Sequence, residues 1–351
     1  FLLNMLRRFA TFLGLVLVGS VLSIWAQDPG ETIKIDTRLV SVPVIVSDRS
    51  GCYVPNLTAS DFTVLQDGVP QSIEFFGATE EPLTIALLID TSQSTRPVLG
   101  DIKDSARSLI KLLLPQDRAM IVSFDYDTHI LSQLTSDQEL LKNAIKKAEI
   151  PDGLFGTTLR DAAFQTVNRS FAGINGRKAV IILTDGKDFG SRISSRELIY
   201  SLQETDTLIY TIMFTTDDRP GGGQGRFPGG GGRRNGGIFG GRFPGGGLPP
   251  IQNRRDNPRR TERIARQNEE AEEFLQKMSE TTAGRFYSSK DGKLKKTFEM
   301  IVEELRFQYR LGFYPPDDTD EKTLHQLKVK VARSETVVRS RSSYRIQNKA
   351  N

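Results

Sequence analysis

Asp90-Thr91-Ser92-Gln93-Ser94 follows directly on the apolar run Leu83–Ile89. An Asp-x-Ser-x-Ser at the end of a buried strand offers one carboxylate and two hydroxyls within one short turn. These are hard oxygen donors of low total charge, suited to a partly hydrated divalent cation such as Mg²⁺. Two further segments carry the same chemistry. Gly156-Thr157-Thr158-Leu159-Arg160-Asp161 reads as a loop opening a helix, and Thr184-Asp185-Gly186 ends the apolar strand that starts at Lys178. Binding sites in an open α/β sheet gather beyond the carboxyl ends of the strands. Asp90, Ser92, Ser94, Thr157 and Asp185 are therefore expected to converge on one cation. A cation held by one or two carboxylates can still take a carboxylate from a partner, which is the chemistry of adhesion more than of turnover.

The elements that must position these residues are legible as a change of texture at residue 82. From there apolar strands alternate with amphipathic helices. Strands are predicted at 83–90, 119–124, 128–134, 178–185, 208–214 and 285–288. Helices are predicted at 98–114, 136–148, 159–172, 194–203, 261–280 and 294–308, with Ser136 capping the second and Leu140, Leu141 and Ile145 turned inward. Continuous apolar strands between such helices predict a Rossmann-like, mostly parallel sheet covered on both faces.

Residues 31–80 and 310–348 read as β instead. Asp67-Gly68 predicts a hairpin joining Phe62–Leu65 to Ile73–Phe76. Each flank alone has few strands and an exposed edge, so the two are expected to pair as a small β-sandwich, with the α/β domain at 82–309 inserted between them.

Two segments stand apart. Arg7-Arg8, the apolar stretch Phe9–Trp25 and the small residue Ala26 have the order of a secretory signal peptide over 1–26, which predicts export and no membrane span after cleavage, the alternative being an uncleaved membrane anchor. Residues 216–260 are dominated by Gly, Pro, Arg and Asn and hold an imperfect repeat, Gly225–Gly231 and Gly241–Gly247. Such composition buries too little apolar area to offset its ordering entropy, so the insertion is expected to be disordered.

Composition bounds the function classes. With 351 residues, 38% of them hydrophobic, the chain can bury a sizeable core. The single cysteine, Cys52, excludes an intramolecular disulfide. A net charge of +4 does not imply nucleic acid. The Arg/Gly/Phe insertion resembles single-strand-binding tails, but the export signal and the lack of a recognition fold argue against that use. Phosphatases of the haloacid dehalogenase type need a second Asp two residues after the first as acid/base, and Ser92 stands there. His129 and His325, the only histidines, lie in no triad or zinc motif. No Gly-x-Gly-x-x-Gly joins a strand to a helix. A non-enzymatic protein is expected.

The five oxygen-bearing residues, in this order and strand context, resemble the metal-ion-dependent adhesion site of von Willebrand factor A-type domains. Thr37–Val44, Leu57–Gly68 and Tyr309–Tyr314 extend the resemblance to bacterial exported proteins in which that domain lies between two β segments. The resemblance implies that Ser92, Ser94 and in some states Thr157 bind the metal directly, and that Asp90 and Asp185 often act through water. It implies Mg²⁺ (or Mn²⁺ or Ca²⁺) as cofactor and a protein partner presenting an Asp or Glu carboxylate. It implies a place in the periplasm, the cell envelope or outside the cell. The alternative is a structural protein of the envelope with no functional metal site.

Overall fold

The computed structural model describes residues 39–77, 81–153, 155–214, 258–289, 294–316, 319–320 and 323–346. The expected signal peptide lies outside the described residues, as does the glycine-rich segment up to residue 257. A six-stranded sheet forms the centre. Its strands are β5 (Leu83–Asp90), β6 (Arg118–Phe124), β7 (Thr128–Thr135), β8 (Arg177–Thr184), β9 (Leu208–Met213) and β10 (Phe286–Ser288), in the order β10-β9-β8-β5-β6-β7. All neighbours run parallel except β7, which turns back antiparallel on β6. Every residue of β5 and β9 is buried, which only a sheet covered on both faces permits.

Alternate residues of the strands feed two cores. Ile85, Leu87 and Ile89 pack with α1 (Leu99–Lys111), α2 (Gln138–Lys146) and α6 (Leu294–Arg306). Ala86, Leu88, Val180 and Ile182 pack on the other face with α3 (Leu159–Gln165), α4 (Ser195–Glu204) and α5 (Pro258–Thr281). The chain is thus α/β, the fold class its sequence predicts, with three helices on each face among the described residues.

The remaining strands form two antiparallel sheets, each mixing both ends of the chain. One holds β1 (Val40–Asp48), β4 (Phe75–Gly77), β11 (Gln308–Phe313) and β13 (Thr336–Ser340). The other holds β2 (Phe62–Gln66), β3 (Val69–Gln71), β12 (His325–Val331) and β14 (Ser343–Tyr344). Val42 and Val44 of β1, Val64 of β2, Leu311 of β11 and Leu327 of β12 share one apolar core between them. The Tyr309 hydroxyl donates to the Val54 carbonyl at 2.8 Å and accepts from the Leu57 amide at 3.1 Å.

This sandwich attaches where the central strands begin. Arg177, at the start of β8, donates to the carbonyls of Leu305 and Arg306 at 2.8 and 3.0 Å, closing the end of α6 just before the chain enters β11. Asp117 accepts the Leu83 amide at 2.9 Å and the Arg306 guanidinium at 3.1 Å. The carboxyl ends of β5, β6 and β8 therefore lie at the opposite edge from this joint.

Several local expectations are corrected. Asp137, not Ser136, caps α2: its carboxylate accepts the amides of Glu139 and Leu140, which a serine one residue earlier does not do. Leu140 is 56% exposed, because it stands on the outer face of the helix while Leu141, Ala144 and Ile145 turn inward. The Asp67-Gly68 turn, with φ of 49° and 88°, leads into Val69–Gln71 and not into Ile73–Phe76. Phe75–Gly77 instead crosses to the other sheet and pairs with β11. Past Gln165 the third helix widens into a π turn over Thr166–Ser170. The helix α5 opens at Pro258, inside the segment read as insertion.

Candidate metal centre

Asp90 is the last residue of β5 and has no exposed surface. Both carboxylate oxygens are engaged. Oδ1 accepts the Ser92 amide at 2.9 Å and Oδ2 accepts the Thr184 hydroxyl at 2.7 Å. Parallel pairing of β5 with β8, with Ile89 opposite Leu183, brings Thr184 beside Asp90 and sets Asp185 one residue further on. Burial, and after it the charge of Asp185, push the Asp90 carboxyl up to about 7. Two buried acids thus stand at the ends of neighbouring strands.

The turn after Asp90 is fixed from within. The Thr95 hydroxyl donates to the carbonyls of Asp90 and Ser92 at 3.0 and 2.9 Å. Ser92 begins a 3₁₀ turn over Gln93–Thr95, yet its hydroxyl makes no capping bond. It lies 3.0 Å from the Ser94 hydroxyl instead. Ser92 thus does not act as a helix cap, and its hydroxyl and that of Ser94 lie side by side.

Thr157 arrives on a second loop. Gln93 donates from Nε2 to the Pro151 carbonyl at 2.7 Å, joining the two loops. Thr158 donates its amide to the Asp125 carbonyl at 2.7 Å, and the Thr157 carbonyl accepts the Phe189 amide at 3.0 Å. Gly156 has φ of 154°, and a Cβ there would stand 3.2 Å from the Tyr126 backbone. Glycine is what lets this loop lie so close. Thr157 is buried, but among the described residues it shares no hydrogen bond with the other four.

Asp185 is buried and meets a cation of the chain's own. Lys187 Nζ lies 3.0 Å from Asp185 Oδ2, and the Lys187 amide donates to Oδ1 at 3.2 Å. Gly186, at φ of 81°, keeps the loop against α5; a Cβ would fall 2.9 Å from that of Ala271.

The structure thus links Asp90, Ser92 and Ser94 by hydrogen bonds, couples Asp185 to Asp90 electrostatically, and ties the loop of Thr157 to the loop of Asp185 through Phe189. Three positions have roles that sequence reasoning did not assign. Thr184 and Lys187 flank Asp185 in the chain, and their roles become visible only once β5 and β8 are neighbours. Asp125 is the third: its carboxylate accepts the Thr91 hydroxyl and faces His129 Nε2, each at 3.1 Å, so it braces the loops behind the site. Among the described residues no group of three or more His, Cys, Asp or Glu could hold a metal. The donor set here is different, two carboxylates with three hydroxyls, and that set fits a hard divalent cation.

Residues 85–187 match the family model for the von Willebrand factor type A domain. That span runs from β5 through Asp185 and Gly186, and the chain carries such a domain. No curated protein matches the chain. Among solved structures it is similar to an aerotolerance-related membrane protein of Bacteroides fragilis, at 17% identity and a TM-score of 0.43 over 64% of this chain and 98% of that one. BatB of Bacteroides thetaiotaomicron is similar at 17% identity and a TM-score of 0.43, over 63% and 98%. Proximal thread matrix protein 1 of the mussel byssus, with a zinc-occupied MIDAS motif, is similar at 16% identity and a TM-score of 0.44, over 71% and 49%.

Proposed function

We propose that the chain binds protein partners through a divalent cation at the carboxyl edge of its central sheet. Ser92, Ser94 and Thr157 would hold the cation, with Asp90 and Asp185 beside it or acting through water. The observation that carries this reading is the confinement of Asp90 next to Asp185, with the paired serine hydroxyls in the same turn. When bound, the cation supplies an electrophilic position for an Asp or Glu carboxylate of the partner. The chain's own residues do the rest. The Thr184 hydroxyl and the Ser92 amide fix the Asp90 carboxylate, Thr95 fixes the serine turn, and Asp125 fixes the loops behind. Mg²⁺ is the cation we infer, from the low acid count; Mn²⁺ and Ca²⁺ share the chemistry.

The order of charge and apolarity over 1–26 supports export to the periplasm, envelope or exterior, and the proposed partner is a protein met there. No described helix is long and apolar enough to cross a membrane. The domain arrangement we propose is the α/β domain at 82–309 set between the flanks 31–80 and 310–348.

The test is retention of envelope proteins on the immobilised chain in Mg²⁺ and in EDTA, with Asp90→Ala alongside. Retention that needs Mg²⁺ and is lost with Asp90→Ala is expected. Retention that persists in EDTA rules out the adhesion mechanism.

A further inference from the structure

Three large aromatic side chains stand exposed on the loops that build the metal edge. Phe155 is 81% exposed, Phe189 63% and Tyr126 44%. They come from three separate loops, so their proximity is a product of the fold. Phe155 immediately precedes Gly156, where a Cβ would stand 3.2 Å from the Tyr126 backbone and 3.5 Å from the Phe189 carbonyl. Phe189 follows Asp185 by four residues and donates its amide to Thr157. Tyr126 packs its ring edge-on against His129, 6.1 Å between centroids, with its other side open. Isolated exposed apolar residues are ordinary, but these three exposed aromatics sit on loops whose backbones meet at one edge.

We propose that this rim is the apolar half of the partner site: an extended segment of another protein that places a carboxylate on the cation also seats an aromatic or large aliphatic side chain against Phe155, Phe189 and Tyr126. The inference rests on the cation-dependent reading above and names the partner's chemistry within it. Charge complementarity chooses the occupant. A divalent cation would balance Asp90 and Asp185, Lys187 lies 3.0 Å from Asp185, and Asp125 behind them faces His129, so a carboxylate would be met by the cation's open position while the loops beside it offer apolar surface. An acidic residue flanked by an apolar one satisfies both, and rigid aromatic anchors are the side chains that concentrate binding energy at such sites. A purely acidic segment would leave the three rings wet. A purely apolar one would leave the cation's open position to water.

The test uses the full chain and a displayed library of random peptides, bound in Mg²⁺ and eluted with EDTA. The expected sequences carry Asp or Glu with Phe, Tyr, Trp or Leu within about three residues, the reach of a short extended segment. For a synthetic peptide of that type, Phe155→Ser with Phe189→Ser should weaken binding by about tenfold or more. Replacing the peptide's apolar residue by Ala should cause a similar loss on the wild-type chain and little further loss on the double variant. Should the double variant melt early, Phe155→Ser alone serves, since that ring packs least. EDTA-eluted peptides that carry an acid but no apolar neighbour, or that bind the variants as well as the wild type, overturn this inference and leave the metal reading standing. Peptides without an acid, or no EDTA-dependent elution, overturn both.

Discussion

The Thr184 hydroxyl donates to Asp90 Oδ2 at 2.7 Å and accepts the Gly186 amide at 3.0 Å. One hydroxyl thus joins the ends of β5 and β8 and fixes both acids at once. Thr184→Val keeps the shape and removes the bond, leaving a buried carboxylate oxygen and a buried amide without a partner, at a cost of about 1–3 kcal/mol each. Metal affinity should fall while the fold is retained, and Thr184→Ser should restore it. Calorimetric titration of Mn²⁺ into the three proteins measures this; equal affinity in Thr184→Val would show that the hydroxyl does not position the site.

Lys187 is the chain's own competitor for Asp185. Its ammonium lies 3.0 Å from the carboxylate that a cation would need. Lys187→Met keeps the apolar stem and removes the charge. Divalent-cation affinity should rise several-fold, with the gain shrinking as salt screens the charge. Unchanged or weaker binding in the same titration would show that the lysine assists the site.

The far edge of the sheet has its own centre in Glu304. This buried carboxylate of α6 accepts the Tyr210 hydroxyl at 2.6 Å and the Arg285 Nε at 2.8 Å, and faces Tyr53 at 3.3 Å and Arg339 of β13. Burial pushes its carboxyl above the ordinary range against the pull of those partners. It therefore fastens the central sheet and α6 to the sandwich. Glu304→Ala strands two arginines and two tyrosine hydroxyls and should destabilise the chain by about 3–5 kcal/mol. Urea unfolding tests this, and a midpoint equal to that of the wild type would contradict it.

His325 should make stability depend on pH. Nδ1 faces Asp67 Oδ2 and Nε2 faces the Asp320 carbonyl, each at 2.8 Å. Two acceptors on one ring favour the doubly protonated form. Burial lowers the pKa of this imidazole, but the Asp320 carbonyl and the Asp67 carboxylate outweigh it and raise the group above its ordinary 6.5. A raised histidine contributes stability that is whole below 6.5 and lost as pH rises through the folded value. Asp67 is lowered by the same bond, so its contribution is whole above 3.8 and lost as pH falls through the lowered value. Melting temperature followed across pH should fall on the alkaline side for the wild type and flatten there in His325→Gln. A parallel decline in both would refute the assignment.

Much of the architecture was legible because its signal is local. The unbroken apolar runs at Leu83–Ile89 and Ala179–Leu183 admit little but strands buried on both faces. Apolar residues at helical spacing, such as Ile102, Ala106 and Leu109, mark an inward face. What failed depended on more than neighbours in the chain. Val69–Gln71 is a return strand that contains Pro70 and has no apolar alternation, so the more apolar Ile73–Phe76 looked like the partner. Ser136 and Asp137 are both good caps, and only backbone geometry decides between them. At the candidate site the strand-end context of Asp90 and Asp185 was legible, because each follows an unbroken apolar run. It said nothing of Thr184 bridging the strands, of Lys187 on Asp185, or of the aromatic rim, because each depends on segments distant in sequence becoming neighbours.

Cation binding by the full chain, compared with Asp90→Asn and Asp185→Asn, bears most directly on this account. Titration with Mn²⁺, read by calorimetry alongside a melting curve for each protein, should find a single saturable cation in the wild type. It should be lost or greatly weakened in both variants while they still melt cooperatively. A wild-type chain that binds no divalent cation, or Asn variants that bind it equally well, would contradict the claim that these two acids hold a metal at the sheet's edge.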